Sequence, residues 1–511
     1  MSVAFEVSPY SYGALLRLIA ERASAEPEIV AAKSQLTYFG EYFSTLGAST
    51  IVVENEYVDR DYLEDFAGYS VRCFHTYRRT AARLHFFTCE FGAPEIDGLL
   101  SGSDHGLSPE DLQKHYLGFI VVKPLPQAMI GRTCLRTYPV DGGRRQYPII
   151  RRYDTNLFGV ELAVDTFAFQ EQDTVAAACA TSALWSAFHG TGSVFHHALP
   201  SPVEITRAAT RQSPPVTRAL PNQDGLTPLQ MAEAVRSVGL EPLVVAAGDD
   251  YTLKATVYAY TRAQIPPLLG AALIDPTLPQ GYREQGLHAM TITGFGLGAS
   301  APVPDPDGFR LRAYRIDQFY VHDDQVGPFA RMPFLGDGVL GTSWPTSNRG
   351  ATLVAQPNLL ILPLYHKIRI RLQSILAVAV PFDAQLEILR ATGHIPLTER
   401  IEWDVYLTSV NQLKSELMSA APHPTTNRRD VLLHSMPRFL WRATASAAGK
   451  TVLDLLFDAT DIDSGPFFVR AVEYDGTMAA VLRSVARSIV QRRAMQSHPD
   501  WSVWNWFAAR P

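Results

Sequence analysis

The sequence predicts an α+β fold in three regions, residues 1–150, 151–340 and 359–511. Three observations predict it. At 511 residues the chain is about three times the usual domain length, which favours two to four folded units. Helical and alternating periodicities are interspersed along it with no fixed internal repeat. A passage rich in Gly, Pro, Ser and Asn, from Gly336 to Asn358, separates the last region from the rest.

The composition is that of a globular protein: 47% apolar and 19% charged residues leave ample material for a core. A net charge of −6 with scattered basic pairs, such as Arg144-Arg145 and Arg492-Arg493, points away from nucleic acid as a partner. The most apolar stretches, Asn358–Tyr365 and Ile375–Phe382, are separated by His366, Lys367, Arg369 and Arg371. Neither reaches the roughly 18–20 residues of a membrane span. The start, Met1-Ser2-Val3-Ala4-Phe5-Glu6, lacks the basic and apolar pattern of a secretory signal, so a cytoplasmic location is expected. Cys73, Cys89, Cys134 and Cys179 form no CxxC pair and are expected as free thiols.

In the first region, Tyr12–Arg22 has helical spacing, whereas Thr50–Val53 and Tyr116–Val122 read as strands. Glu54, Glu56, Asp59 and Asp61 read as a solvated acidic face. Cys73 with His75, and His85 with Cys89, lie on two adjacent expected strands. A zinc site there is geometrically thinkable, but half-buried hairpin residues are the preferred reading because no standard ligand spacing is met.

In the central region a helix is expected from Cys179 until Gly190 stops it. Thr227 caps the next helix, with Pro228 in its first turn and Gly239 at its end. Leu199–Gly225 and Gly298–Gly308 read as insertions. Gly286–Gly296 and Tyr314–Val321 read as strands. In the last region strands are expected at Lys367–Leu372, Trp403–Val410 and Phe467–Glu473, with helices at Val452–Phe457 and Thr477–Met495. Trp501, Trp504 and Trp506 are expected to dock as core. Ala448-Gly449-Lys450-Thr451 is no phosphate loop, because Thr444 stands where the required earlier glycine would be.

The chemistry gathers between Phe167 and Pro333. Small residues surround Cys179, and the positive end of a helix beginning there favours thiolate over thiol. By itself such a cysteine reads as a structural core residue. Gln172, seven positions earlier, is placed to add a side-chain amide to the Cys179 N–H as an oxyanion donor. Alternation puts His288, Met290 and Ile292 on one face of their strand. If that strand pairs with Tyr314–Val321, His288 meets the acidic pair Asp323-Asp324, which would hold its imidazole in one tautomer.

Over residues 167 to 333 the chain resembles the papain-like cysteine peptidase superfamily, in particular its C39-like branch. Four stretches carry the resemblance: Gln172 to the Cys179 helix, Gly225–Glu241, Gly286-Leu287-His288, and Asp323-Asp324-Gln325-Val326-Gly327, similar to the family's Asp-Pro-x-x-Gly turn. Ile265-Pro266-Pro267 resembles its Pro-led strand. The resemblance implies a papain-like core with Cys179 as nucleophile, His288 as general base, Asp323 as orienting acid and Gln172 as oxyanion glutamine. Ala180 and Thr181 depart from the family's Gly and Pro. Its glutamine usually lies six positions upstream, so Gln170 is the fallback for Gln172. Asp324 replaces the usual proline, leaving open which acid faces His288, since alternation admits one.

The implied activity is hydrolysis of a peptide or isopeptide bond through a thioester, with a protein or peptide substrate and no cofactor or metal. The alternatives are transglutaminase-like acyl transfer or glutamine deamidation, and an inactive peptide-binding module. The flanking regions are candidates for binding a regulatory or substrate protein.

Overall fold

Strand Tyr116–Val122 is apolar at nearly every position, and in the computed structural model all seven of its residues are buried. The structure describes residues 4–103, 106–173, 178–212, 220, 225–281, 283–346, 350–419, 427–462, 465–491 and 497–510. The fold is α+β and divides into two units, each assembled from separate stretches. Unit 1 comprises residues 1–248, 264–296 and 318–363; unit 2 comprises 249–263, 297–317 and 364–511.

This division differs from the three consecutive regions expected from the sequence, and the core shows why. One cluster joins Val52, Tyr116 and Phe119 of the first region to Leu184, Trp185 and Val235 of the second. Another joins Leu18, Phe39 and Phe86 to Phe167, Tyr320 and Phe329. Residues 1–150 and the thiol region therefore share two hydrophobic core clusters.

In unit 1, β1 (Phe5–Pro9), β2 (Thr50–Tyr57), β3 (Ala81–Phe87), β4 (Tyr116–Val122) and β5 (Ile130–Leu135) form an antiparallel sheet in sequence order. The helix Tyr12–Ala23, capped by the Ser11 hydroxyl, buries Leu15, Leu18 and Ile19. A short β6 (Arg145–Gln146) and the hairpin β7 (Arg151–Leu157) and β8 (Val160–Thr166) follow. After β9 (Leu240–Ala246) come β10 (Leu268–Ile274), β11 (Glu284–Leu297), β12 (Ile316–Asp323), β13 (Gly327–Gly336), β14 (Val339–Pro345) and β15 (Thr352–Tyr365). Each of these six pairs with the next and β15 pairs back onto β10, so they close into a barrel; β9 pairs with β15 and β6 with β11. Closure removes the exposed edges of an open sheet.

The helix Cys179–Phe195 begins where the sequence placed it but runs past Gly190. Gly190 and Gly192 are contact points, not stops: an added Cβ would lie 2.7 Å from Pro266 Cγ and 2.5 Å from Leu199 Cδ2, respectively. The Thr291 hydroxyl on β11 donates to Ala183 O at 2.7 Å, fixing this helix to the barrel.

Unit 2 holds the antiparallel sheet β16 (Glu402–Ser409), β17 (Phe439–Ala447), β18 (Lys450–Asp458) and β19 (Phe468–Glu473). Two expectations fail here. Val452–Phe457 is strand, not helix, because it completes a hairpin through Ala448 and Gly449, both at positive φ. Lys367–Leu372 joins no ladder; it turns into the helix Leu372–Ala391. That helix is long and apolar enough to span a membrane by length and composition, longer than the sequence suggested. Within unit 2 its Asp383 accepts from Trp403 Nε1 at 2.8 Å and its Phe382 packs on Trp403 and Trp504. Trp504 is fully buried, as expected.

Candidate active site

Cys179 is the first residue of its helix and is half-buried. Ala178, before it, supplies no capping side chain, and the first turn has no acidic residue. Among the described residues no side chain caps the leading amides, and the sulfur stands at the positive end of the helix.

His288 lies on β11 opposite Ala271 of β10 and is 5% exposed. Its Nε2 is 3.1 Å from Asp323 Oδ1 and 3.5 Å from Asp324 Oδ1. The Cys179 thiol also acts on this imidazole and raises its pKa. With Nε2 turned to the carboxylates, Nδ1 is the nitrogen left for the sulfur.

Both acids reach His288, although strict alternation admits one. Asp323 ends β12 beyond a register shift that follows Val321, and the chain then turns back into β13. The alternating geometry stops at the point where the acids stand. Asp323 Oδ1 accepts from Gln325 N at 3.1 Å and Oδ2 from Trp344 Nε1 at 2.6 Å. The Trp344 ring meets the His288 ring edge-on at 4.8 Å. Gln325 Nε2 donates to Asp324 Oδ2 at 3.0 Å, and Gln35 Nε2 donates to the Asp324 carbonyl at 2.9 Å. Asp324 Oδ1 is buried without a hydrogen bond among the described residues.

Burial alone would strip His288 of its proton, but Asp323, the Cys179 thiol and Asp324 overcome this and raise its pKa well above the ordinary value. Burial and the neighbouring Asp323 push Asp324 up to about 7, opposed by His288. The adjacent His322 faces the other way. Burial lowers it to about 3, its Nδ1 bonds Ala168 O at 3.1 Å, and Phe167, Phe169 and Phe329 surround it.

Gln172 is half-buried and lines a cavity, whereas Gln170 is buried with its Nε2 lacking an acceptor among the described residues. Residues 174–177, between them and Cys179, lie outside the described residues.

Sequence reasoning missed Trp344, Gln35 and Tyr38. Trp344 sits on β14 inside the Gly336–Asn358 passage that was read as separating the last region; an aromatic amid polar residues was its only signal. The Tyr38 hydroxyl donates to Pro328 O at 2.7 Å, and a Cβ on Gly327 (φ 153°) would lie 2.3 Å from the Tyr38 ring.

Of the expected acidic face, Glu56 is exposed and Glu54 half-buried, whereas Asp59 and Asp61 are buried ties. Asp59 pairs with Arg132 at 2.7 Å, and Asp61 accepts from Trp185 Nε1 at 3.2 Å on the helix that begins at Cys179. Cys73 and His75 follow a 3-10 turn at Ser70–Arg72 instead of lying on a strand, and His85 bonds Tyr116. Among the described residues the group whose metal-ligating atoms converge is His288, Asp323 and Asp324, all within 4.8 Å. Asp323 spends both oxygens on hydrogen bonds from Gln325 and Trp344, an arrangement that suits orienting an imidazole. Comparison with models of known protein families finds no match, and no curated protein matches the chain.

Proposed function

We propose that unit 1 is a papain-like thiol hydrolase that cleaves a peptide or isopeptide bond through a thioester. The observation that carries this reading is the imidazole of His288, held by the buried Asp323-Asp324 pair and raised in pKa by them together with the Cys179 thiol. A cationic imidazole beside a sulfur at a helix N-terminus favours the thiolate, the nucleophilic form. Attack of the sulfur on a carbonyl carbon forms the S–C bond and moves negative charge to the oxygen. The Cys179 N–H and a glutamine amide receive that charge. Gln172 is the first choice for the glutamine; the Nε2 of Gln170, without an acceptor among the described residues, supports the second. The C–N bond breaks as the His288 proton passes to the leaving amine. Neutral His288 then takes a proton from water as its oxygen attacks the thioester carbon; the C–S bond breaks, the acid leaves, and the Cys179 thiolate and protonated His288 are restored. Four free cysteines suit a reducing compartment such as the cytoplasm.

The test is alkylation of the four cysteines by iodoacetamide across pH, read by peptide mass spectrometry. Cys179 is expected to react at about pH 6, where ordinary thiols are largely protonated, and to lose this reactivity in His288→Ala. Cys134, fully buried, is the internal control. Equal, slow reaction at all sites would leave only a binding module on this fold. If the thiol is reactive, ammonia release without chain cleavage would mark deamidation or acyl transfer.

A further inference from the structure

Two arms of chain meet at the start of the helix Ser34–Leu46: the stretch with the candidate oxyanion glutamines and the turn with the two acids. Lys33, the residue before the helix, donates from Nζ to Glu171 Oε1 on the first arm. Glu171 stands between Gln170 and Gln172, and its Oε2 accepts from Ile130 N at 3.0 Å. On the second arm, Ser34 Oγ donates to Gln325 O at 2.6 Å, Gln35 Nε2 to Asp324 O at 2.9 Å and the Tyr38 hydroxyl to Pro328 O at 2.7 Å. The partners of Lys33 and Gln35 lie 138 and 289 residues away in sequence. Lys33, Glu171, Gln172 and Gln325 also line one cavity of about 360 Å³, so both arms and the helix start come together in one place.

Three donors onto three carbonyls of one tight turn fix its rotation as well as its position. Gln35 is 3% exposed, so its bond to the Asp324 carbonyl is shielded from competing water. Burial raises the Glu171 pKa, against Lys33, but a carboxyl oxygen accepts from the ammonium whether or not the acid is charged.

We infer that Lys33–Tyr38 is a clamp that sets the spacing of the two arms: Lys33 positions the oxyanion glutamine through Glu171, and Gln35 positions the acid pair through the Asp324 carbonyl. The inference rests on the thiol-hydrolase reading for the chemistry that the arms perform. Lys33 and Gln35 are positioning residues, since each acts through a neighbour. A misplacement of about 1 Å at either arm is enough to slow a reaction roughly a hundredfold.

The arms serve different steps, so two probes separate them. Iodoacetamide is attacked at a saturated carbon: the S–C bond forms, iodide leaves, and no oxyanion arises. p-Nitrophenyl acetate is attacked at its carbonyl carbon: charge passes to the oxygen and returns as the C–O bond breaks and nitrophenolate leaves, which engages the oxyanion arm. Both need the thiolate that His288 supports, with Asp323, Asp324 and the Cys179 thiol as the ionisable groups acting on that imidazole.

In the full-length protein, Lys33→Met is expected to slow acetylation of Cys179 by p-nitrophenyl acetate about tenfold, while iodoacetamide labelling keeps its rate and pH dependence. Lys33→Arg should restore acetylation. Gln35→Met should move the alkaline inflection of iodoacetamide labelling to lower pH, because the carboxylates are no longer held beside Nε2. Hydrogen exchange read by mass spectrometry checks the ties without using the thiol: protection should fall around Glu171 in Lys33→Met and around Asp324 in Gln35→Met. Equal slowing of both probes by Lys33→Met, an unmoved inflection in Gln35→Met, or unchanged exchange would overturn the clamp and leave the thiol reading intact. If wild-type Cys179 reacts with neither probe, the thiol reading fails, and the exchange measurements still decide whether the segment holds the two arms.

Discussion

Asp324 stands where a proline would leave His288 with one carboxylate, and the second carboxylate changes how the imidazole titrates. Each negative charge near Nε2 favours the protonated ring, so removing either lowers the pH at which His288 gives up its proton. Asp324 acquires its charge as pH passes about 7, so its support grows in the range where an ordinary histidine is already neutral. Asp324→Asn is therefore expected to move the alkaline inflection of Cys179 alkylation to lower pH. Asp323→Asn, the closer partner, should move it further; inflections identical to wild type would remove both acids from the site. Trp344→Phe keeps the ring beside His288 but takes away the donor to Asp323 Oδ2. One hydrogen bond to a charged group is worth roughly 1.5–3 kcal/mol, so turnover should fall about ten- to a hundredfold with the fold retained by circular dichroism. Cys179, His288 and the acids were legible because each carries a local pattern: small residues before a helix, a strand histidine, an acidic turn. Trp344 and Gln35 were not, since their roles arise from contacts 21 and 289 residues away in sequence.

Elements were readable where one face meets water, and misread where both faces are covered. The helix after Thr227 shows its caps and its apolar face in the sequence, and the structure places it at Pro228–Ser237 with the Thr227–Gln230 capping box formed. β18 shows no alternation because Val452–Phe457 is buried throughout, leaving a Leu-rich run that reads equally as helix. Lys367–Leu372 alternates like a strand, yet Arg369 N and Ile370 N both turn to Ala459 O and no ladder forms. Glycines were misread in the same way: Gly190 was taken as a helix stop, but its missing Cβ is what lets Pro266 and Phe167 approach. Gly190→Ala should cost roughly 1–3 kcal/mol by overpacking, measured by urea unfolding. At the turn that carries the acids, Gly327→Ala meets both a positive φ and the Tyr38 ring. It should lower stability by a similar amount and also slow Cys179 alkylation, because the turn displaced is the one that places Asp323 and Asp324. Loss of stability with unchanged alkylation would show that the helix Ser34–Leu46 props the fold but not the site.

At the scale of the molecule, the chain's order does not follow its units. Unit 2 takes residues 249–263 and 297–317 from stretches that interrupt the barrel strands of unit 1, and completes itself only with residues 364–511. The helix Asp250–Thr261 shows the dependence. Within unit 2 its Tyr258 and Tyr260 are buried, Tyr260 packs edge-on against Trp441 at 5.3 Å, and the neighbouring Arg262 reaches Asp404 at 3.5 Å. Arg315 likewise pairs with Glu402 in that unit. Ending the chain after Pro363 removes Trp441, Asp404 and Glu402 together, leaving Tyr260 without its aromatic neighbour and Arg262 and Arg315 without their carboxylates. The product is therefore expected to bind a hydrophobic dye and self-associate in sedimentation, even though every residue of the candidate site is still present. The same logic applies at the other end. Residues 1–150 share both core clusters with the thiol region, so a chain beginning at residue 151 lacks Val52, Tyr116 and Phe39 from those cores, as well as Gln35 from the acid turn. It should unfold, with Cys134 gone and Cys179 reacting like a free thiol at all pH values. A fragment from 151 to 363 that stayed monomeric and kept fast, His288-dependent alkylation would show that the thiol region folds alone, and that the shared core is packing acquired around a self-sufficient domain.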